Sequence, residues 1–160
     1  MAKAIVVASD RAGLALKDNI KEHLISLGYE VRDVGTQSED EPVSFLNAAR
    51  NIAAAIQSGE NDMGFGFCGT GMGISQALNR YRGVKAALVE CKYTARNCRI
   101  INDANVMVMG GRVVTPEIAR EMVDEFLNTP FLAGRDPEEP LSKILYDSKT
   151  FLEDMGQEAD

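Results

Sequence analysis

Several common kinds of site have little to be built from in this sequence. It holds one histidine, His23, and three cysteines, Cys68, Cys91 and Cys98, with no Cys-x-x-Cys pair. That set excludes a disulfide scaffold and a zinc site, and it suits a reducing, cytoplasmic setting. A single histidine leaves Ser-His-Asp and Cys-His catalysis poorly supported. His23 lies between Glu22 and Leu24 beside an apolar helical stripe and reads as a surface or boundary residue. No apolar run approaches the roughly 20 residues of a membrane span. The short run Ala4-Ile5-Val6-Val7 leads into Ser9-Asp10 without a signal-peptide cleavage pattern, so neither membrane nor export is expected. Basic charge is also in deficit, 17 Lys and Arg against 24 Asp and Glu for a net of −7. An excess of acid argues against a nucleic-acid backbone as the main partner.

What is present is ordinary for a soluble globule: 160 residues, 45% hydrophobic and 26% charged. By area scaling a chain of this size buries about 69% of its extended surface, enough for one core, so residues 1–160 are expected to form one domain. The acidity is uneven. Residues 1–135 carry 15 basic and 16 acidic side chains, whereas residues 136–160 carry 2 and 8. The body is nearly neutral and the C-terminal extension is the acidic part.

Short β-like runs alternate with helical patterns. The strand candidates are Lys3–Ala8, Tyr29–Val34, Met63–Cys68, Val84–Val89 and Val106–Met109. Leu16, Ile20, Leu24 and Leu27 recur at helical spacing, and Gly28 then stops the helix in the C′ manner. Further helical patterns cover Phe45–Ile56, Ile74–Asn79, Thr94–Ile101 and Pro116–Leu127, the last with Pro at its first turn. A loop holding Pro130, Gly134, Pro137 and Pro140 precedes a final helix from about Leu141 to Met155. Strands alternating with helices make an α/β fold with a parallel sheet. Continuously apolar strands fit five strands covered on both faces, a three-layer sandwich. There is no internal repeat or low-complexity segment.

In an open parallel sheet, ligands bind beyond the carboxyl ends of the strands. The turn Cys68-Gly69-Thr70-Gly71-Met72-Gly73 is the strongest such feature. Glycines at 69, 71 and 73 let backbone N–H groups approach a ligand, and the following helix turns its positive end toward it. An oxyanion, phosphate or enediolate would be stabilised there. A cysteine near a helix N-terminus favours the thiolate, so Cys68 could be a base or a nucleophile. The plainer reading, a buried strand-end hydrophobe beside packing glycines, has equal weight at this point. The spacing is neither Gly-x-Gly-x-x-Gly nor a P-loop. Ser9-Asp10-Arg11-Ala12-Gly13 ends the first strand, and Gly110-Gly111-Arg112 ends the fifth. Cys91 and Cys98 read as small packed residues, and Met72, Met107, Met109 and Met122 as core filler. Arg80, Arg82, Lys85, Lys92, Arg96 and Arg99 face one acid, Glu90, within residues 80–99. They could draw an anionic substrate, but a solvated face or a partner for the acidic tail is the stronger expectation.

Read in order, the motifs resemble one family. Asp10 with Ala12-Gly13 and Leu16-Lys17, then Gly28-Tyr29-Glu30-Val31 and Asp33-Val34-Gly35-Thr36, are similar to the opening of the ribose-5-phosphate isomerase B and galactose-6-phosphate isomerase family. The likeness continues through Cys68–Ser75, Asn79, Gly83–Ala87, Asn102-Asp103-Ala104-Asn105-Val106, Gly111–Val114 and Ala133-Gly134-Arg135. It implies a Rossmann-like five-stranded parallel sheet and a homodimer or tetramer with active sites shared between subunits. It also implies a carbohydrate substrate, no metal or organic cofactor, and aldose–ketose isomerisation through a cis-enediolate. Cys68 would move the proton between C1 and C2, and the Gly69–Gly73 backbone would hold the enediolate oxygen. Thr70 would help in ring opening, and Asp10 and Asn102 would bind hydroxyls. Arg112 and Arg135 would meet the distal anion, across the dimer.

The departures from the family pattern are as informative. Arg11 and Ile101 stand where the family usually has histidine, the second linked to ring opening. Phe45 and Leu46 occupy the neighbourhood of a usual Asp-Tyr-Pro segment. After Arg135 the family places His and a further Arg, where this chain has Asp136 and Glu139. These changes predict a substrate other than ribose 5-phosphate, one already open-chain or carrying a different acid, with Arg11 as a compensating anion contact. The rival expectation is a non-catalytic sugar-binding or regulatory subunit on the same fold.

Overall fold

The three central strands form on apolar runs buried from both sides, and the two edge strands are shorter and only partly buried. The computed structural model describes residues 4–132. The strands are β1 (Ile5–Ser9), β2 (Val31–Asp33), β3 (Gly64–Cys68), β4 (Ala86–Leu88) and β5 (Val106–Gly110). The helices are α1 (Leu14–Ser26), α2 (Phe45–Gln57), α3 (Met72–Leu78), α4 (Lys92–Ile100) and α5 (Pro116–Asn128), with one 3-10 turn at Arg11–Gly13. The sheet order is β2-β1-β3-β5-β4, and every pair is parallel.

Side chains alternate between two cores, as period-two geometry requires. Val7, Phe65, Phe67, Met107 and Met109 face α1, α4 and α5. Val6, Ala8, Cys68, Val106 and Val108 face α2 and α3. The result is the three-layer sandwich that the alternation predicts, with the Rossmann-like sheet that the family resemblance implies. Gly66 has a specific role on the α2–α3 face. A methyl there would meet Ile74 at 3.3 Å and Leu78 at 3.4 Å, so its absence lets α3 pack close to the sheet. Phe65 and Phe126 meet edge-on at 5.6 Å on the other face. Burying each such ring contributes about 1.5–3 kcal/mol, well above what exposed ion pairs supply.

Caps set the helix boundaries. Ser44 and Thr115 accept N–H bonds from Asn47 and Ile118, starting α2 and α5. The chain leaves β1 toward β2 on one side and leaves β3 toward β4 on the other. That divergence opens a crevice between the carboxyl ends of β1 and β3, the position where doubly wound sheets bind ligands. The expected final helix and acidic extension lie outside the described residues. Among the described residues, no helix is long and apolar enough to cross a membrane.

Candidate active site

Three turns converge on this crevice and are laced together through their backbones. The Gly111 and Arg112 amides donate to the carbonyls of Cys68 and Gly69 at 2.8 and 3.0 Å, tying the β5 turn to the β3 turn. Gly71 sits in the left-handed region at φ 79°, and a methyl on it would clash with Leu88 at 2.5 Å, so glycine is required there twice over. Its amide donates to Cys68 Sγ at 3.1 Å and fixes that side chain at the glycine turn. Cys68 itself is 5% exposed. Thr70 is exposed, and its hydroxyl accepts from the Met72 amide at 3.3 Å. Asp10, at the end of β1, caps the 3-10 turn by accepting from the Gly13 amide at 3.0 Å.

A cleft of about 580 Å³ opens beside this turn, lined by Asp10, Arg11, Ala12, Glu39, Pro42, Val43, Ser44, Phe45 and Arg112. Two of its walls also touch the glycine turn. Arg112 lies against Gly69, whose missing methyl would sit 3.8 Å from Arg112 Cδ. The Phe45 ring covers Gly73, where a methyl would meet it at 3.0 Å. Arg112 therefore reaches the cleft of its own chain. Arg11 pairs with Glu39 at 3.5 Å, and both side chains are largely exposed. Among the described residues no acid pairs with Arg112, and no group of three His, Cys, Asp or Glu is placed to hold a metal.

The structure does not bring Asn102 to this place. Asn102 lies in the loop between α4 and β5, at the amino end of the sheet. Val106 pairs with Gly64 there, four residues below the Cys68–Gly110 pairing, or about 13 Å along a strand. The loop is firmly held: Asp103, at φ 49°, accepts from Lys85 Nζ at 2.6 Å and from Arg99 at 3.3 Å. Arg99 also stacks over Phe126 at 5.4 Å. Arg135 lies outside the described residues.

Met107, Met109 and Met122 are buried as core filler, but Met72 is 57% exposed, because the first residue of α3 points away from the sheet. Cys98 is buried, and that burial pushes its thiol up to about 11. Cys91 is not packed; it is exposed at the N-cap of α4, where hydrogen bonds from Thr94 hold its thiol below the ordinary range. Lys92 and Arg96 pair with Glu121 and Glu125 of α5, so these two members of the basic group brace helix against helix. His23 bonds Asp124 at 2.7 Å, at the boundary between α1 and α5.

Glu39, Ser44 and Phe45 were not foreseen as walls of the site. Glu39 is 28 positions from the arginine it meets, and no local pattern signals such a contact. The pair beneath them was also unannounced. Lys17 is wholly buried, bonded to Asp33 at 2.8 Å and to the Thr36 carbonyl. Thr36 in turn accepts from the Val43 amide at 2.9 Å and donates to the Ser9 carbonyl, so the wall segment hangs from this buried lysine. The one forewarning is that Lys17 stands three before Ile20, on the apolar stripe.

The family model described as Ribose/Galactose Isomerase matches residues 5–144. The chain belongs to the ribose/galactose isomerase family. Among its relatives is the 4-deoxy-4-sulfo-D-erythrose isomerase of Clostridium sp. (strain MSTE9), 42% identical over 127 residues, 79% of this chain and 80% of that one. Ribose-5-phosphate isomerase B of Escherichia coli (strain K12) is 40% identical over 133 residues, covering 83% and 89%. D-erythrulose-4-phosphate isomerase of Pectobacterium atrosepticum is 32% identical over 131 residues, covering 82% and 86%. The crystal structure of a ribose 5-phosphate isomerase from Thermotoga maritima superposes with a TM-score of 0.85 at 39% identity, covering 96% of this chain and 99% of that one. The ribose/galactose isomerase fold and the aldose–ketose isomerase class follow for this chain.

Proposed function

We propose that this isomerase interconverts an open-chain, four-carbon aldose and ketose bearing a terminal anion, with Cys68 as the base. The observation that carries the reading is the Cys68–Gly73 turn, its cysteine held by the Gly71 amide and its outer wall formed by the Arg112 side chain. The Cys68 thiolate takes the proton from the carbon beside the carbonyl, giving a cis-enediolate. The thiol then returns that proton to the neighbouring carbon, while the two oxygens exchange theirs. Turn amides around Gly69–Gly73 are suited to hold the enediolate oxygen. Thr70 and Asp10 serve the hydroxyls, and Arg11 and Arg112 the anion.

A four-carbon substrate fits a chain without a ring-opening histidine. Ile101 stands where the wider family pattern has a ring-opening histidine. A tetrose substituted at C4 has no free C4 hydroxyl and cannot close a furanose ring, so it needs no such acid. Two relatives are named for four-carbon substrates of this kind. Asn102 faces the opposite end of its own sheet, which supports a site completed by the Asn102 loop of a second copy.

Proton exchange at C1 and C2 of 4-deoxy-4-sulfo-D-erythrose and D-erythrose 4-phosphate in D2O tests the base. Cys68→Ala should lose about 10²-fold or more, the scale for removing a general base. Full exchange by the alanine variant would overturn the assignment, and absence of exchange by wild type would favour the binding-subunit reading.

A further inference from the structure

The cleft holds two cations able to grip an anion, yet its charged side chains sum to zero. Asp10 and Glu39 balance Arg11 and Arg112. We infer that the terminal group of the substrate is a sulfonate, and that Glu39, through its pairing with Arg11, sets this preference over phosphate. The inference rests on the isomerase reading above and narrows its substrate class.

The two arginines differ in state. No acid among the described residues meets Arg112, whereas Arg11 is held loosely by Glu39 at 3.5 Å, with side chains 63% and 72% exposed. An anion lodged between the arginines displaces little, because an exposed pair at that distance is weak. It does, however, keep the Glu39 carboxylate beside it. A sulfonate carries one negative charge at any working pH and offers three equivalent oxygens to the guanidinium groups. A phosphate ester carries about 1.5 to 2 negative charges near pH 7, so its additional charge meets Glu39 with no further cation to offset it among the described residues of the cleft. The amino end of α2, where Ser44 and Phe45 line the cleft and no acid lies in the first turn, attracts either anion and does not distinguish them. A carboxylate also carries a single charge, but it has two oxygens in one plane to share between two arginines on different strand ends. The relative named for a sulfonated tetrose is 42% identical to this chain.

The test is kcat/KM of the full-length protein on 4-deoxy-4-sulfo-D-erythrose, D-erythrose 4-phosphate and the carboxylate analogue 4-deoxy-4-carboxy-D-erythrose. Wild type should favour the sulfonate over the phosphate by about fivefold, the upper end for one exposed charge pair. Glu39→Gln should raise the phosphate value about fivefold and move the sulfonate value by less than about twofold, bringing the two together. Arg11→Met should lower both. The inference is overturned by a wild-type preference for phosphate or carboxylate, by a ratio that Glu39→Gln leaves unmoved, or by an Arg11→Met variant as active as wild type. Failure of all three compounds to turn over would remove the four-carbon reading itself, a result distinct from turnover with the wrong preference.

Discussion

The segment that walls the cleft is flanked by two ion pairs of opposite character. Lys17–Asp33 is sealed, with side chains 0% and 6% exposed and a contact of 2.8 Å. Arg11–Glu39 is open, with side chains 63% and 72% exposed and a contact of 3.5 Å. The sealed pair has given up its water and depends on its partners; it sets where the segment runs. The open pair keeps its water and can change partners at little cost; it is free to meet a ligand. One chain thus uses the same chemistry as framework and as contact surface, and burial decides which.

Breaking the sealed pair should give the largest effect. Lys17→Ala leaves the Asp33 carboxylate and the Thr36 carbonyl short of a donor in the interior, which should cost about 3–5 kcal/mol in urea denaturation. Replacing both partners, Lys17→Met with Asp33→Leu, should lose less than the single change, because no buried charge is then stranded. If the single change is neutral, the pair is not framework.

Acid sharpens the same contrast. Burial tends to raise the Asp33 carboxyl, but hydrogen bonds from Lys17, Lys21 and the Gly35 amide outweigh it and hold it below the usual value. A depressed folded value means that the contribution is complete above the unfolded pKa, about 4, and is lost as pH falls through the folded value. Stability should therefore decline with acid below about pH 4, and Asp33→Asn should lack that part of the slope.

The smallest effect belongs to the open pair. A double-mutant cycle with Arg11→Ala and Glu39→Ala should show a coupling of about 0.2–1 kcal/mol in folding stability, fading in high salt. A coupling above that range would show that the pair braces the fold, and would weaken its assignment as a substrate contact.

Much of the fold is legible because two-sided burial writes itself as short, continuously apolar runs in the three central strands, and the edge strands keep a shorter signal. All five fall within a few residues of the runs that predict them. The helices are legible from their stripes and caps. The glycine turn is legible because its spacing is local. What escaped depends on distance through space. Met72 follows the apolar pattern but falls on the outward side of the first turn of α3. Cys91 sits just before α4, where a cap and a packed residue look alike in sequence. Asn102 matches a site motif, yet parallel topology carries it to the far end of the sheet. Glu39 and Lys17 acquire their roles from residues 28 and 16 positions away.

The lacing of the β3 and β5 turns by the Gly111 and Arg112 amides works, for the proposed substrate, as a caliper. One jaw is the cysteine that handles C1 and C2; the other is the arginine that meets the tail of the molecule. Backbone bonds set the gap between the two turns that carry them. On the sulfonate inference, the choice of acid is set apart from that span, at residue 39 on the wall of the cleft.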